Sequence, residues 1–308
     1  MAGYKLATYQ TSDGPRAGLV IDDKVFDAAK LTGKAAYATV LGIINDWATA
    51  KGALKAAAAK AANGKVKGQP LAKTKLRAPL LWPYTIYCAG ANYADHAAEM
   101  ARRMNRPLEP DPHIQGLKAW HFIKAAKSVA DPGATVKISG VSDRVDWEVE
   151  LAAVIGRPAR NVSEDKALSY VAGYTCANDL SARDRGHRAN ISETSPFKAD
   201  WTKHKTFDGS CPLGPWIVPA SDIGDPQNLG LKLWVNGVLK QDSNTKDMIF
   251  NLAEQIARLS DGMTLHPGDL ILTGTPAGVG SARGEFLKKG DVVKIWIEKI
   301  GELTTKLV

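Results

Sequence analysis

The sequence predicts an α+β protein in which strands dominate, and three observations carry that prediction. From Leu80 onward, strand-like apolar runs follow one another without regular helical crossovers: "TIYCAGANY", "VDWEVELAAVIG", "YVAGYTCAND", "LKLWVNGVLKQD", "DLILTG" and "DVVKIWIEKIG". Asn236-Gly237 separates two alternating runs and suits a two-residue hairpin turn, so those strands are expected to pair antiparallel. No glycine-rich phosphate fingerprint opens a helix after a strand, which argues against a doubly wound nucleotide fold.

Taken in order, the chain begins with short strand-like runs, "YKLATYQ", "AGLVID" and "KVFDAA", punctuated by Asp13-Gly14-Pro15 and Asp22-Asp23. Val40, Leu41, Ile44 and Trp47 then recur at helical spacing, and an Ala/Lys helix ends near Asn63-Gly64. Further helices are expected around Tyr93 to Arg103, from Ser163 to Val171 and from Met248 to Ser260. At 308 residues the chain exceeds the usual single-domain size. We read it as a small N-terminal α+β cap over residues 1–75 and a large unit over residues 76–308.

Composition narrows the function classes. With 44% hydrophobic and 23% charged residues, and no apolar stretch long enough to span a bilayer, the chain reads as an ordinary globular protein without a membrane partner. Its start, "MAGYKLATYQTSDG", has no secretory signal pattern, so a cytoplasmic location is expected. Cys88, Cys176 and Cys211 are odd in number and far apart, which suits reduced thiols. The net charge of +8 invites a nucleic-acid reading, but its distribution opposes one. Eight basic residues and no acid lie between Lys51 and Leu80, leaving 32 basic against 32 acidic residues elsewhere. No aromatic residue interleaves those eight charges, so a solvated helix face followed by a polar linker is the simpler reading.

The segment "VDWEVEL", Val145 to Leu151, carries chemistry. Alternate side chains of a strand share a face, so Asp146, Glu148 and Glu150 project one way and Val145, Trp147, Val149 and Leu151 the other. An ordinary half-buried strand with its polar side in water has this pattern too. Two features point past it: like charges on one face repel, and the neighbouring run "YVAGYTCAND" stops abruptly at Asn178-Asp179. A third carboxylate, Asp179, delivered from that strand end beside Glu148 and Glu150 would relieve the repulsion around a hard dication, with Mg²⁺, Mn²⁺ and Ca²⁺ as candidates. Asp146, at the strand's start, is expected to remain a surface acid.

Beyond these patterns, the chain from about Leu80 to its end resembles the fumarylacetoacetate hydrolase family. The resemblance rests on "GANYADHAAEM", "DWEVELAAVIGRPARNVSEDKALSYVAGYTCANDLSARD", "KTFDGSCPLGPWIV" and "GDLILTGTPAGVG", four motifs in the family's order. It implies a mixed β-sandwich roll, usually dimeric, with Glu148, Glu150 and Asp179 as ligands of a divalent metal. It also implies a general base, His96, oriented by Glu99 three residues on, and places Lys205 beside the metal to stabilise enolate or oxyanion charge. Arg183 and the Thr275 hydroxyl, with backbone amides of the glycine-rich "TGTPAGVG" turn, become contacts for substrate anions. A structural ion pair of Arg183 with Asp184 or another acid is almost as natural a reading of the residues.

The activity this implies is hydrolysis of a carbon–carbon bond in a 2,4-dioxo acid of the acylpyruvate or fumarylpyruvate type, with release of pyruvate. An oxaloacetate-type decarboxylase or a 2-hydroxyhepta-2,4-dienedioate-type isomerase is the alternative, since both also pass through a stabilised enolate. Two stretches depart from the family's pattern. Gly186 stands where a glutamine is common, and the segments "ARRMNRPLEPDPHIQGLKAWHFIK" and "GHRANISETSPFKADWTKH" have unfamiliar content or length. Both segments are expected to shape the rim of a pocket.

Overall fold

The structure is a computed structural model and describes residues 3–64 and 66–308. The first three strands, Lys5–Thr11, Gly14–Ile21 and Lys24–Asp27, form an antiparallel meander. Its tight turns fall on the Asp13-Gly14 and Asp22-Asp23 signals. Helix Ala28–Thr32 follows, with the Asp27 carboxylate accepting the Lys30 amide as its cap, and Gly33 closes it at φ 71°. The expected helix around Val40 to Trp47 is two: Thr39 caps Val40–Asn45, and a new helix, Trp47–Ala62, starts after Asp46. The longer helix packs Ala50, Leu54, Ala57, Ala58 and Ala61 inward and leaves Lys51, Lys55 and Lys60 exposed.

Strand Lys5–Thr11 meets Cys211–Pro219 through the Leu6↔Ile217 pairing. This joins the N-terminal meander to the large sheet. From that junction the sheet runs Cys211–Pro219, Val171–Asn178, Val149–Ile155, Leu270–Leu272, Ile86–Ala89 and His121–Lys124; with the short strands Gln69–Pro70, Leu76–Arg77 and Val129–Ala130 it has twelve strands among the described residues. A second sheet orders Val238–Asn244, Gly230–Val235, Val292–Ile297, Gly301–Leu307 and Thr135–Val136. Asn236 and Gly237 join two of its strands with φ of 50° and 80°, as the hairpin signal requires.

Strand Val149–Ile155 is buried at every position because both its faces are covered. Val149, Leu151, Ala153 and Ile155 belong to the core shared with the second sheet's Leu231, Leu233, Val293 and Ile295. Ala152 and Val154 face the other core, with Ile86, Cys88, Leu270 and the N-terminal helices. One apolar core therefore runs beneath the N-terminal elements and the central strands alike.

Two helices are shorter than their periodicity predicts. The stretch expected from Ser163 to Val171 is α-helical only over Glu164–Ala167, then tightens to a 3₁₀ turn before strand Val171–Asn178 begins. The one expected from Met248 starts at Leu252, where Asn251 and Glu254 exchange side-chain to backbone hydrogen bonds in a capping box.

Candidate active site

The expected strand Val145–Leu151 is interrupted at Trp147-Glu148, yet Glu150 on strand Val149–Ile155 and Glu148 just before it are buried, not open to water. Glu148 is 5% exposed, Glu150 1% and Asp179 0%. The half-buried reading of "VDWEVEL" therefore fails at the acids themselves. Asp179 arrives because Val149 pairs with Asn178, so the chain leaves its strand level with Glu148; the Asp179 amide donates to the Glu148 carbonyl at 2.9 Å. One carboxylate oxygen from each of Glu148, Glu150 and Asp179 lies within 4.8 Å of the others.

Three cations meet these acids. Lys205 Nζ donates to Glu148 Oε2 at 2.8 Å and to Asp179 Oδ2 at 2.6 Å. Lys124 Nζ, fully buried, lies 2.6 Å from Asp179 Oδ1 and donates to the carbonyls of Leu180 and Lys205. Arg183 reaches Glu148 Oε1 at 2.5 Å and Asp146 Oδ2 at 2.8 Å. Burial opposes charge on Glu148 and Lys205. For Glu148, Lys205 and Arg183 outweigh that penalty and hold the carboxyl below its ordinary range; for Lys205, Asp179 and Glu148 raise the ammonium well above its own.

Glu150 differs. Among the described residues no cationic side chain lies within ion-pair distance of it, and its recorded hydrogen bond comes from the Gly274 amide at 2.7 Å. Burial first, then Asp179 and Glu148, push its carboxyl well above the usual range. The floor thus gathers four buried carboxylates, counting Asp146, against three cations. Two oxygens bound to one Mg²⁺, Mn²⁺ or Ca²⁺ at about 2.0–2.6 Å lie at most about 4–5 Å apart, so this all-oxygen set has the right spacing and the right unmet charge for a hard dication.

Asp146 is corrected from surface acid to fully buried anchor. Strand Val145–Asp146 pairs with Ser181–Ala182, and the carboxylate accepts Arg183 Nε and the amides of Trp147, Gly280 and Ser281. Arg183 accordingly pairs with Asp146 and Glu148, not with Asp184, whose carboxylate accepts the Ser142 hydroxyl. The glycine-rich turn is also corrected in part. Its amides at Gly274, Gly278 and Gly280 are taken by Glu150, Glu99 and Asp146, as is that of Ser281 just after it, so these amides are not free for a substrate carboxylate. Thr275 does face the cavity; its hydroxyl accepts Gln241 Nε2 at 2.9 Å, leaving its proton to donate outward.

His96 sits in helix Ala94–Arg103, with Nδ1 3.8 Å from Glu99 Oε2. That separation is longer than a hydrogen bond, the looseness common where catalytic groups await a ligand. Burial would raise the Glu99 carboxyl, but His96 and the Gly278 amide, which donates at 2.8 Å, keep it below the ordinary range. A single cavity of about 870 Å³ is lined by His96, Glu148, Arg183, Lys205 and Thr275. Met104, Leu108, His113 and Leu117 from one unfamiliar segment and Trp201 from the other are also in its walls, so both segments contribute to the rim.

Gly186 has a physical counterpart in His204. A Cβ at 186 would lie 2.8 Å from His204 Nδ1, so the imidazole fills the space a side chain there would need. His204 is 6% exposed and its ring lies tilted 5.3 Å from that of Trp201; burial, then Lys205 and Arg183, push it down to about 2. Sequence reading also missed Lys124 and Gln241. Lys124 had a signal, since it shares the inward face of its strand with Phe122. Gln241 had none: it ties the Val149 amide to the Thr275 hydroxyl and the Pro276 carbonyl across three elements.

Fold and site together define a class: a β-rich protein with a ligand-sized cavity that ends on clustered carboxylates. The chain belongs to the fumarylacetoacetate hydrolase family, whose model, described as fumarylacetoacetate (FAA) hydrolase C-terminal, matches residues 85–308. It is 43% identical over 235 residues to a mitochondrial oxaloacetate tautomerase of Xenopus laevis, covering 76% of this chain and 68% of that one. It is also 43% identical over 219 residues to the 2,4-didehydro-3-deoxy-L-rhamnonate hydrolase of Sphingomonas sp. strain SKA58, covering 70% of each. Among solved structures it resembles maleylpyruvate hydrolase from Sphingobium sp. SYK-6 in complex with manganese(II) and pyruvate, with a TM-score of 0.75 and 31% identity over 99% of this chain and 98% of that one. These relatives are enzymes, hydrolases among them. No helix among the described residues is long and apolar enough to cross a membrane.

Proposed function

We propose that the protein hydrolyses the C3–C4 bond of a 2,4-dioxo acid and releases pyruvate. The observation that carries this reading is that His96, its Nδ1 3.8 Å from Glu99, lines the same cavity as Glu148, Arg183, Lys205 and Thr275. A base for water and a charged floor for an oxo acid thus face the same space. A hydrolase of a 2,4-didehydro-3-deoxy acid and a maleylpyruvate hydrolase among the relatives support the substrate class.

Glu148, Glu150 and Asp179 would hold Mg²⁺ or Mn²⁺, which supplies Lewis-acid polarisation of the substrate's carboxylate and 2-oxo oxygens. The remaining work belongs to side chains. Ionised Glu99 orients the imidazole so that the far nitrogen of His96 accepts a proton from water as its oxygen adds to C4. When the C3–C4 bond breaks, its electron pair passes to C3 and the 2-oxo oxygen, leaving pyruvate enolate and the acyl carboxylic acid. Lys205, kept charged by Glu148 and Asp179, neutralises the enolate; Thr275 and Arg183 position the anion. Protonation of C3, with the proton returned from His96, completes pyruvate.

A second reading, tautomerisation or decarboxylation of oxaloacetate, is favoured by the 43% identity to an oxaloacetate tautomerase. It needs the enolate-stabilising floor but no activated water. Loss of the base separates the two. With Mn²⁺ and acetylpyruvate, His96→Ala is expected to lower the rate of pyruvate release by about 10²–10⁴-fold, the usual worth of a general base. Full hydrolysis by that variant, or none by the parent protein beside rapid oxaloacetate turnover, would move the assignment to the second reading.

A further inference from the structure

The cavity is larger than the dioxo-acid head requires, and its two ends differ in chemistry. Its volume of about 870 Å³ lies toward the top of the roughly 300–1,000 Å³ that encloses drug-sized ligands. The charged end is compact: Glu148, Arg183 and Lys205. Beyond it an aromatic wall begins. The Phe122 ring lies 5.0 Å from Lys205 Nζ, Trp201 stacks on Phe122 at 5.2 Å, and Trp120 meets Trp201 edge-on at 5.3 Å. Trp120 holds its place because residue 90 is glycine; a Cβ there would lie 2.1 Å from the indole. Met100, Met104 and Leu117 line the same space from helix Ala94–Arg103 and the segment after it.

The remaining charged lining selects against a second substrate carboxylate. Arg106 is accompanied in it by Glu109 and Asp111, and all three are exposed. His113 is already engaged, its two ring nitrogens 2.9 Å from Asp111 and 2.8 Å from Glu254. An anionic acyl group would lose water against indole and thioether surfaces without gaining a buried cation. A flat apolar group would instead stack on rings that present their faces and edges.

We infer that the acyl group this site accepts is neutral and carries an aromatic ring, aroylpyruvates being the simplest such acids. The inference rests on the hydrolase reading above and names its substrate class. The test compares benzoylpyruvate, acetylpyruvate and fumarylpyruvate in the Mn²⁺-loaded protein, reading kcat/KM for pyruvate release and, separately, affinity from quenching of tryptophan fluorescence. Benzoylpyruvate is expected to lead the other two by at least about tenfold in both, since one methylene in an apolar pocket is already worth about 10–200-fold. Trp120→Ala is expected to lower the benzoylpyruvate-to-acetylpyruvate ratio at least about fivefold, the acetylpyruvate rate reporting that the variant folds. Leu117→Arg, at an exposed position, is expected to raise the fumarylpyruvate-to-benzoylpyruvate ratio. Cleavage with fumarylpyruvate or acetylpyruvate preferred or equal overturns the inference and leaves hydrolysis standing. Tightest binding of benzoylpyruvate with no acid cleaved removes the hydrolase reading and keeps the apolar preference. If no acid is bound or cleaved, both fall.

Discussion

Glu148 and Lys205, which line the cavity floor, and Lys124, Asp146, Glu150 and Asp179 behind it are each no more than 5% exposed and are joined by ion pairs and backbone amides. In the segment that supplies the rim, Leu108 and Leu117, which line the cavity, and Ile114 between them are 57%, 53% and 83% exposed. His113, between Asp111 and Glu254, is the main polar tie of that segment to helix Leu252–Ser260. The contrast teaches how one pocket divides its tasks. A floor held by many mutually dependent charges cannot relax around a ligand and so presets geometry, whereas a rim held by few contacts is free to vary in what it admits.

That contrast breaks first, if it is wrong, at Asp146. Replacing it by alanine leaves Arg183 with half its partners and the amides of Trp147, Gly280 and partly buried Ser281 unpaired, so Asp146→Ala is expected to destabilise by about 3–5 kcal/mol. Denaturant unfolding measures this, and a loss below about 1 kcal/mol contradicts an over-determined floor.

Acid sharpens the comparison next, through two histidines held neutral by the fold. Burial lowers His121 to about 4, and burial with Lys205 and Arg183 lowers His204 to about 2. Both values lie below the unfolded 6.5, so the neutral rings stabilise the fold above pH 6.5 and that stability is lost as pH falls through 6.5 toward 4. Each histidine contributes up to about 1.4 kcal/mol per pH unit in that window. Calorimetry from pH 7 to 5 is expected to show a falling Tm whose slope flattens in the double variant His121→Gln, His204→Gln. An unchanged slope there shows that other groups carry it.

The smallest effect is expected at the rim. Ile114→Ser, at a side chain 83% exposed, is expected to change stability by less than about 0.5 kcal/mol. A larger loss would mean that the rim is packed more tightly than its exposure implies.

The two regions were unequally legible in the sequence. Alternation placed Glu148 and Glu150 on one face, and the abrupt stop at Asn178-Asp179 placed the third acid beside them, because strand pairing converts sequence position into space. The same alternation could not say that a second layer covers that face, so Asp146 was read as exposed when it is the most heavily bonded acid of the floor. Partners distant in sequence were invisible for the same reason: nothing local ties Arg183 to Asp146 or Gly186 to His204. The late start of helix Leu252–Ser260 was legible and missed, since Asn251 followed by Glu254 three residues on is a capping-box signature. The rim carried no periodic signal, which is why its content could be flagged but not placed.

Glu150 tests most directly whether Glu148, Glu150 and Asp179 share one divalent cation, because among the described residues no lysine or arginine lies within ion-pair reach of it. Titrating Mn²⁺ into the protein, with the unbound ion counted by electron paramagnetic resonance, is expected to give one site per chain that Glu150→Gln weakens at least about 100-fold while the circular dichroism spectrum stays unchanged. Equal Mn²⁺ affinity in the parent and the variant, or no site in the parent, contradicts a shared cation.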